Sequence, residues 1–136
     1  MEISRNKQHA IIMTVIYDEL NDYAKGDHSF TRDAGEMMME LCECSYQEVP
    51  EFIKKVTLYA LSHYGEIRNA FIPLLRNWSW ERIPLLTQAI LIMTYAQNKI
   101  EIVDKKVLID VAVSLGKTYL EDEQWKFINA ILDKIL

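Results

Sequence analysis

Apolar residues recur at spacings of three and four along nearly the whole of this 136-residue chain. In the first such segment, which we predict to be a helix over residues 4–24, Met13, Ile16, Tyr17 and Leu20 share one face. No stretch shows the sustained alternation of apolar and polar residues that a half-buried strand requires. The sequence therefore predicts an all-α protein.

Glycine and proline residues divide this helical pattern into six or seven helices. We predict a second helix over residues 31–44 and boundaries at Gly26, Pro50, Gly65, Pro73 and Pro84. The segment from Leu85 to Gln97 is apolar nearly all round, which is typical of a helix at the centre of a bundle. Short connections favour antiparallel neighbours. The residues expected to be buried in this bundle are Trp78, Ile90, Leu91, Val107, Ala112 and Leu132.

Length and charge limit the classes of function. One domain spanning residues 1–136 accounts for the length, and the longest apolar run, residues 89–93, is too short to cross a membrane. We therefore expect a cytoplasmic protein with no membrane partner. The net charge of −5 argues against a sequence-independent DNA coat, which needs a broad basic face. Residues 53–79 nevertheless hold four basic side chains against one acidic side chain, which leaves local binding of nucleic acid open.

No group of side chains in the sequence matches a catalytic or metal-binding motif. The four glycines are isolated, so a phosphate-binding loop cannot form, and the three histidines are scattered. Three adjacent acids at residues 121–123 are better explained as a helix start than as a cation site. Cys42 and Cys44 are two residues apart in a predicted helix, where side chains diverge, so we expect both to stay reduced. These observations predict a binding module with no cofactor and no metal, and not an enzyme.

Three segments carry a resemblance to a known family. In residues 78–91, a Trp-Ser pair precedes Arg-Ile-Pro and then Ala-Ile-Leu. Residues 106–115 contain Lys-Val, an isoleucine two residues later, and then Ala-Val. Residues 126–134 read Lys-Phe-Ile-Asn-Ala-Ile-Leu-Asp-Lys. In this order and spacing, the segments resemble the NusB family of transcription antitermination factors, and residues 4–17 are similar to the family's first helix.

The resemblance implies an architecture, a function and partners. NusB-like proteins are built from two packed antiparallel three-helix bundles. They pair with NusE, a small-subunit ribosomal protein, and the pair binds the single-stranded boxA element of nascent ribosomal RNA. Within the antitermination complex they help RNA polymerase to read through terminators. The resemblance therefore implies a single RNA-binding domain without enzymatic activity.

The resemblance places a cluster of phosphate-binding cations at the start of the first helix. The family has several arginines there, whereas this chain has Arg5, Lys7 and His9, so two fixed positive charges remain. We expect RNA binding to weaken with salt at a shallow slope of about −1 to −2. We also expect His9 to be exposed and to titrate near its ordinary pKa, so that binding tightens toward acid pH. Ordinary surface charges explain Arg5 and Lys7 about as well.

Three further residues match the RNA-binding surface of the family. Phe127 occupies the position that stacks on a base, and it lies off the buried stripe of its helix, although a core role stays open. Glu123 occupies an acidic position near the RNA, where a helix-start role is an equal alternative. Tyr17 is mostly core by its spacing, with its hydroxyl expected to reach the RNA surface.

Several positions depart from the family pattern and leave a second function open. Ile92, Ala96 and Gln97 stand where the family has arginine, tyrosine and glutamate, and Ala130 replaces a glycine. The alternative is a protein-interaction module, homodimeric in one version, that has kept the NusB fold and lost or altered RNA binding. For the antitermination factor we expect NusE to bind an apolar surface within residues 80–97, and not the acidic stretch after residue 31, whereas an absence of NusE binding would favour the interaction module.

Overall fold

A computed structural model describes residues 2–26 and 33–136 of the chain. These residues form seven α-helices and contain no strand. The helices are α1 (Arg5–Lys25), α2 (Ala34–Cys42), α3 (Glu51–Ser62), α4 (Tyr64–Phe71), α5 (Leu85–Ile100), α6 (Lys105–Tyr119) and α7 (Gln124–Ile135). The prediction of an all-α protein is confirmed, while the predicted start of the second helix at residue 31 lies outside the described residues. No helix in these two ranges is long and apolar enough to cross a membrane.

The local sequence explains where the helices begin. Asp33 and Asp104 each accept a hydrogen bond from a backbone N–H of the first turn, of α2 and α6 respectively. Pro50 and Pro84 directly precede α3 and α5, where the missing N–H costs nothing because no helical partner exists there. Three 3₁₀ turns fill the remaining connections: Tyr46–Glu48, Ile72–Leu74 and Trp80–Arg82.

The helices pack as two bundles of three helices each, and one helix of the second bundle, α5, lies at the centre of the molecule. The first bundle consists of α1, α2 and α3, the second consists of α5, α6 and α7, and α4 packs against α3 and α5. Helix α5 also packs along α1 and α3, so that it belongs to the core of both bundles. All eleven residues from Thr87 to Gln97 are buried, as the uniformly apolar sequence predicts. The two-bundle arrangement is confirmed.

Two residues that were expected to be buried are exposed, whereas Ile90, Leu91, Ala112 and Leu132 are buried as predicted. Trp78 is 57% exposed because the helical pattern that placed it in the core ends at Phe71, and the extended chain buries Trp80 instead. Val107 is 52% exposed because the buried face of α6 runs through Leu108, Ile109, Ala112 and Leu115, one residue out of phase with the prediction.

Two glycines lie inside helices and do not terminate them. Gly65 lies inside α4, and the break between α3 and α4 falls at His63. Gly116 lies inside α6 at the closest approach to α7, where an added Cβ would come within 3.1 Å of the Trp125 Cβ. The missing side chain lets α6 and α7 pack closely, which fixes where α7 and the residues at its start lie.

Candidate nucleic-acid interface

Arg5 opens α1 and is held in place by two contacts. Its guanidinium carbon lies 3.7 Å from the centroid of the Phe52 ring, and its Nη1 lies 3.7 Å from Glu101 Oε1. The side chain is still 55% exposed. A cation over an aromatic face is favourable, and a guanidinium keeps further N–H donors for other ligands. Arg5 is therefore oriented by its neighbours and can still reach a phosphate.

His9 lies one turn further along α1 and is buried, which makes the prediction of an exposed, freely titrating His9 wrong. Its Nδ1 lies 3.0 Å from the Arg5 carbonyl oxygen and its Nε2 lies 3.0 Å from Gln97 Oε1. The ring also packs edge-on against Phe52, with 5.2 Å between centroids. Burial lowers the pKa of His9 from its ordinary value, and the hydrogen bond to Gln97 offsets only part of that effect. A side chain with both nitrogens engaged cannot contact a phosphate, so His9 is a packing residue.

The lowered pKa of His9 predicts how stability changes with pH. Below its ordinary pKa the histidine of the unfolded chain takes up a proton, while the folded protein holds the ring neutral. The contribution of His9 to stability is therefore complete above that pKa and is lost as the pH falls through it. We expect the free energy of unfolding, measured by urea titration from pH 8 to 5, to fall less steeply in His9→Gln than in the unmodified protein. Equal slopes would contradict the buried, neutral histidine.

Lys7 and Tyr17, like Arg5, remain accessible along α1. Lys7 is exposed, with its backbone N–H bound to the Ser4 hydroxyl at the helix start. Tyr17 is 37% exposed and follows Ala10 by two helical turns on the same face. Ala10 lines a cleft of about 390 Å³ between α1 and α6. The prediction that Tyr17 belongs mostly to the core is wrong, because the buried core includes Met13, Ile16 and Leu20 of α1 but leaves Tyr17 partly exposed.

Phe127 and Glu123 lie at the start of α7. Glu123 is exposed and forms an ion pair with Lys126 one turn later, at 2.8 Å, which is a contact expected of an acid at a helix start. Phe127 is partly buried, and its ring stacks on Trp78 with 6.2 Å between centroids and 20° between planes. The sequence alone did not reveal this stacked pair, because Trp78 was assigned to the core.

The two groups of candidate residues lie at opposite ends of α5. At the C-terminal end of α5, Gln97 contacts His9, and Glu101 contacts Arg5. At the N-terminal end, the Thr87 hydroxyl donates to Gln124 Oε1 at 2.7 Å, which places the start of α7 there. Thr87 and Gln97 are separated by about 15 Å along the helix. An RNA that reaches both groups must therefore follow the length of the bundle.

A second cleft, of about 660 Å³, opens beside the start of α5. Its wall includes Leu20, Tyr64, Trp80 and Leu85, and the Trp80 indole N–H donates to the Tyr64 hydroxyl at 3.1 Å. Burial raises the pKa of Tyr64. An ion pair between Arg68 and Glu81 lies at the rim. We call this the Trp80 cleft.

The Trp80 cleft changes the expectation for a partner surface within residues 80–97. Because residues 87–97 are buried in the bundles, this part of α5 offers no apolar face to a partner. Only the first part of that segment, from Glu81 to Leu86, contains residues that reach the surface. The predicted surface is thus reduced to the start of α5 and the cleft beside it.

The cysteines and other ligating side chains form no metal site in the part of the chain that the structure describes. No group of three histidine, cysteine or acidic side chains there is placed to hold an ion. Cys42 and Cys44 are both free thiols. Burial and the neighbouring Cys44 thiol raise the pKa of Cys42. The two thiols do not diverge as predicted, because α2 ends at Cys42 and Glu43 adopts a left-handed conformation.

The helices define an all-α protein built from two bundles, and comparison with known proteins gives its family. A sequence model of the NusB family matches residues 6–136. The transcription antitermination protein NusB of Finegoldia magna is 30% identical over 98% of this chain and 94% of its own length. The chain therefore belongs to the NusB family.

Two further comparisons cover the fold and a shorter stretch of sequence. NusB of Macrococcus caseolyticus is 30% identical over 56% of this chain, a match that spans 58% of that protein. The structure of T. maritima NusB superposes with a TM-score of 0.77 over 99% of this chain and 92% of its own, at 18% sequence identity. At that identity the structural match establishes the two-bundle fold.

Proposed function

We propose that this protein is a transcription antitermination factor that binds boxA-like single-stranded RNA together with NusE during ribosomal RNA transcription. It acts in the cytoplasm, within the antitermination complex of RNA polymerase, and it catalyses no reaction. The observation that carries the RNA-binding part is the position of Phe127. The residue that matches the family's base-stacking position is partly buried and lies beside a second, exposed aromatic ring. Bases of single-stranded RNA are free to stack on such a surface, whereas a duplex hides them.

The charges at the start of α1 support a weak electrostatic contribution to RNA binding, with an affinity that falls only gradually as salt increases. Arg5 and Lys7 are exposed, whereas His9 is withdrawn into the core. Arg5 also forms an ion pair with Glu101, which partly neutralises its charge. Each phosphate that a cation neutralises adds about one unit to the salt slope, so two cations predict a slope of about −1 to −2.

We place the NusE contact at the Trp80 cleft. The cleft combines aromatic and aliphatic walls with the charged rim of Arg68 and Glu81. Apolar cores with polar rims are typical of protein interfaces. The acidic stretch from Asp33 to Glu51 runs from the start of α2 to the start of α3, and none of its residues lines the Trp80 cleft.

The electrostatic part of the proposal is tested with one lysine and a matched control. We expect Lys7→Gln to lower the salt slope of binding to single-stranded RNA by about one unit. Lys55→Gln removes an exposed lysine from α3, outside the candidate site, and leaves the slope unchanged. The slope is measured by fluorescence anisotropy with a labelled boxA-like oligonucleotide at increasing potassium chloride. Equal slopes in both variants would show that the start of α1 does not contact phosphates.

One observation favours the alternative function. With His9 buried and Arg5 partly neutralised, Lys7 is the one cation of this cluster that joins no ion pair between described residues. A NusB-fold interaction module, homodimeric in one version, needs no cations there. Binding to NusE or to a second copy of the chain without binding to single-stranded RNA would support this alternative. Sedimentation analysis of the free protein and of its mixture with NusE separates the two forms.

A further inference from the structure

The most exposed aromatic surface beside the candidate RNA site belongs to Trp78. This side chain is 57% exposed, whereas Phe127 beneath it is partly buried and packed against the core. The two rings stack with 20° between their planes. Since Trp78 is exposed and Phe127 is partly buried, the accessible aromatic surface of the pair belongs mainly to the indole.

Trp78 does not serve as the structural anchor of its segment. Trp80 takes that role, since it is 2% exposed, stacks on Phe71 at 5.6 Å and donates a hydrogen bond to Tyr64. The preceding Asn77 adopts a left-handed conformation with φ 62°, and Ser79 is extended. The backbone therefore turns sharply before Trp78, and the extended chain after it sends Trp80 inward.

The charges around Trp78 fit a phosphate chain. Arg76 and Arg82 flank it in sequence, both are exposed, and neither joins an ion pair between described residues. Glu81 is already paired with Arg68. An aromatic face between cations is the combination that binds single-stranded nucleic acid without strict sequence preference.

We propose that Trp78 is the residue on which a base of single-stranded RNA stacks, with Phe127 as the second ring that supports the indole from below. The inference rests on the proposed RNA-binding function and deepens it, because it moves the stacking contact from Phe127 to Trp78. Arg76 and Arg82 neutralise the phosphates on either side of the stacked base. This surface lies at the N-terminal end of α5, beside the start of α7. RNA binding therefore depends on residues at this end of the bundle more than on those at the start of α1.

Affinity measurements on four variants test the inference. We expect Trp78→Ala to weaken binding of a labelled boxA-like single-stranded oligonucleotide by roughly 5- to 150-fold, and Trp78→Phe to restore most of the loss. Phe127→Leu keeps apolar support under the indole and costs less than Trp78→Ala. Ile72→Ala, at an exposed apolar residue without a ring, leaves the affinity unchanged. Thermal unfolding of each variant verifies that it is folded.

A fluorescence titration provides an independent readout. We expect RNA to quench the emission of the exposed Trp78 in the unmodified protein and in Trp125→Phe, but not in Trp78→Phe. A greater loss of affinity in Phe127→Leu than in Trp78→Ala would overturn the inference in favour of direct stacking on Phe127. Loss of NusE binding in Trp78→Ala, with RNA binding intact, would overturn it in favour of a protein contact. If the unmodified protein binds no single-stranded RNA even with NusE, the proposed function itself fails.

Discussion

Gln88→Glu is expected to lower the free energy of unfolding by about 3–5 kcal/mol at neutral pH, as expected for a buried charge without a partner. Gln88 is 3% exposed, and its Nε2 donates to the carbonyl oxygens of Trp80 and Ile83 at 3.0 and 2.9 Å. A carboxylate of the same shape would face both oxygens with no proton to donate. Urea unfolding monitored by circular dichroism measures the difference.

The pH dependence of the same variant gives a second check. Burial beside two carbonyl oxygens raises the pKa of the introduced glutamate, so the loss shrinks as the pH falls and the carboxyl takes up a proton. Gln47→Glu makes the same change at an exposed position and shifts stability by less than about 0.5 kcal/mol. A similar loss in both variants would mean that the amide of Gln88 does not hold the turn over residues 80–83.

Phe71→Ala is expected to cost about 3–5 kcal/mol of stability, the range for removing a fully buried aromatic ring. Phe71 has no exposed surface, and its ring contacts Trp80 and Tyr95, with 5.6 and 5.9 Å between centroids. Removing it leaves a cavity between α4 and α5 and takes away the surface on which Trp80 stacks. Since domains of this size are stable by about 5–15 kcal/mol, the variant loses a large fraction of its total stability.

The neighbouring residue provides the control for Phe71→Ala. Ile72 is 38% exposed, so Ile72→Ala removes fewer buried contacts and is expected to cost well under half as much. Chemical unfolding of both variants under the same conditions gives the comparison. Similar losses would show that the ring of Phe71 is not the centre of the contact between α4 and α5.

The fold could be predicted from the sequence because helical periodicity is local and strong. The apolar sequence from Leu85 to Gln97 correctly placed α5 at the centre, and Pro84 marked its start. The prediction of buried residues failed where the apolar periodicity of one helix was extended beyond the end of that helix. Trp78 was counted as the continuation of a helix that stops at Phe71, although Pro73 already indicated a break.

The candidate site was less predictable because its contacts join residues that are far apart in the sequence. His9 and Gln97 are separated by 88 positions, so only the fold shows that they meet and that His9 is buried. The stacking of Trp78 on Phe127 likewise joins the turn before α5 to the last helix, α7. The departures of His9 and Gln97 from the family pattern were each visible alone, but their pairing was not.

Titration of a boxA-like single-stranded RNA with the protein, alone and with NusE from the same organism, tests the central claim most directly. We expect weak, salt-sensitive binding by the protein alone and tighter binding in the presence of saturating NusE. A duplex that contains the same sequence should bind much more weakly under both conditions, because its bases are hidden. An absence of binding to the single strand at tens of micromolar protein, with NusE present and bound, would contradict the account.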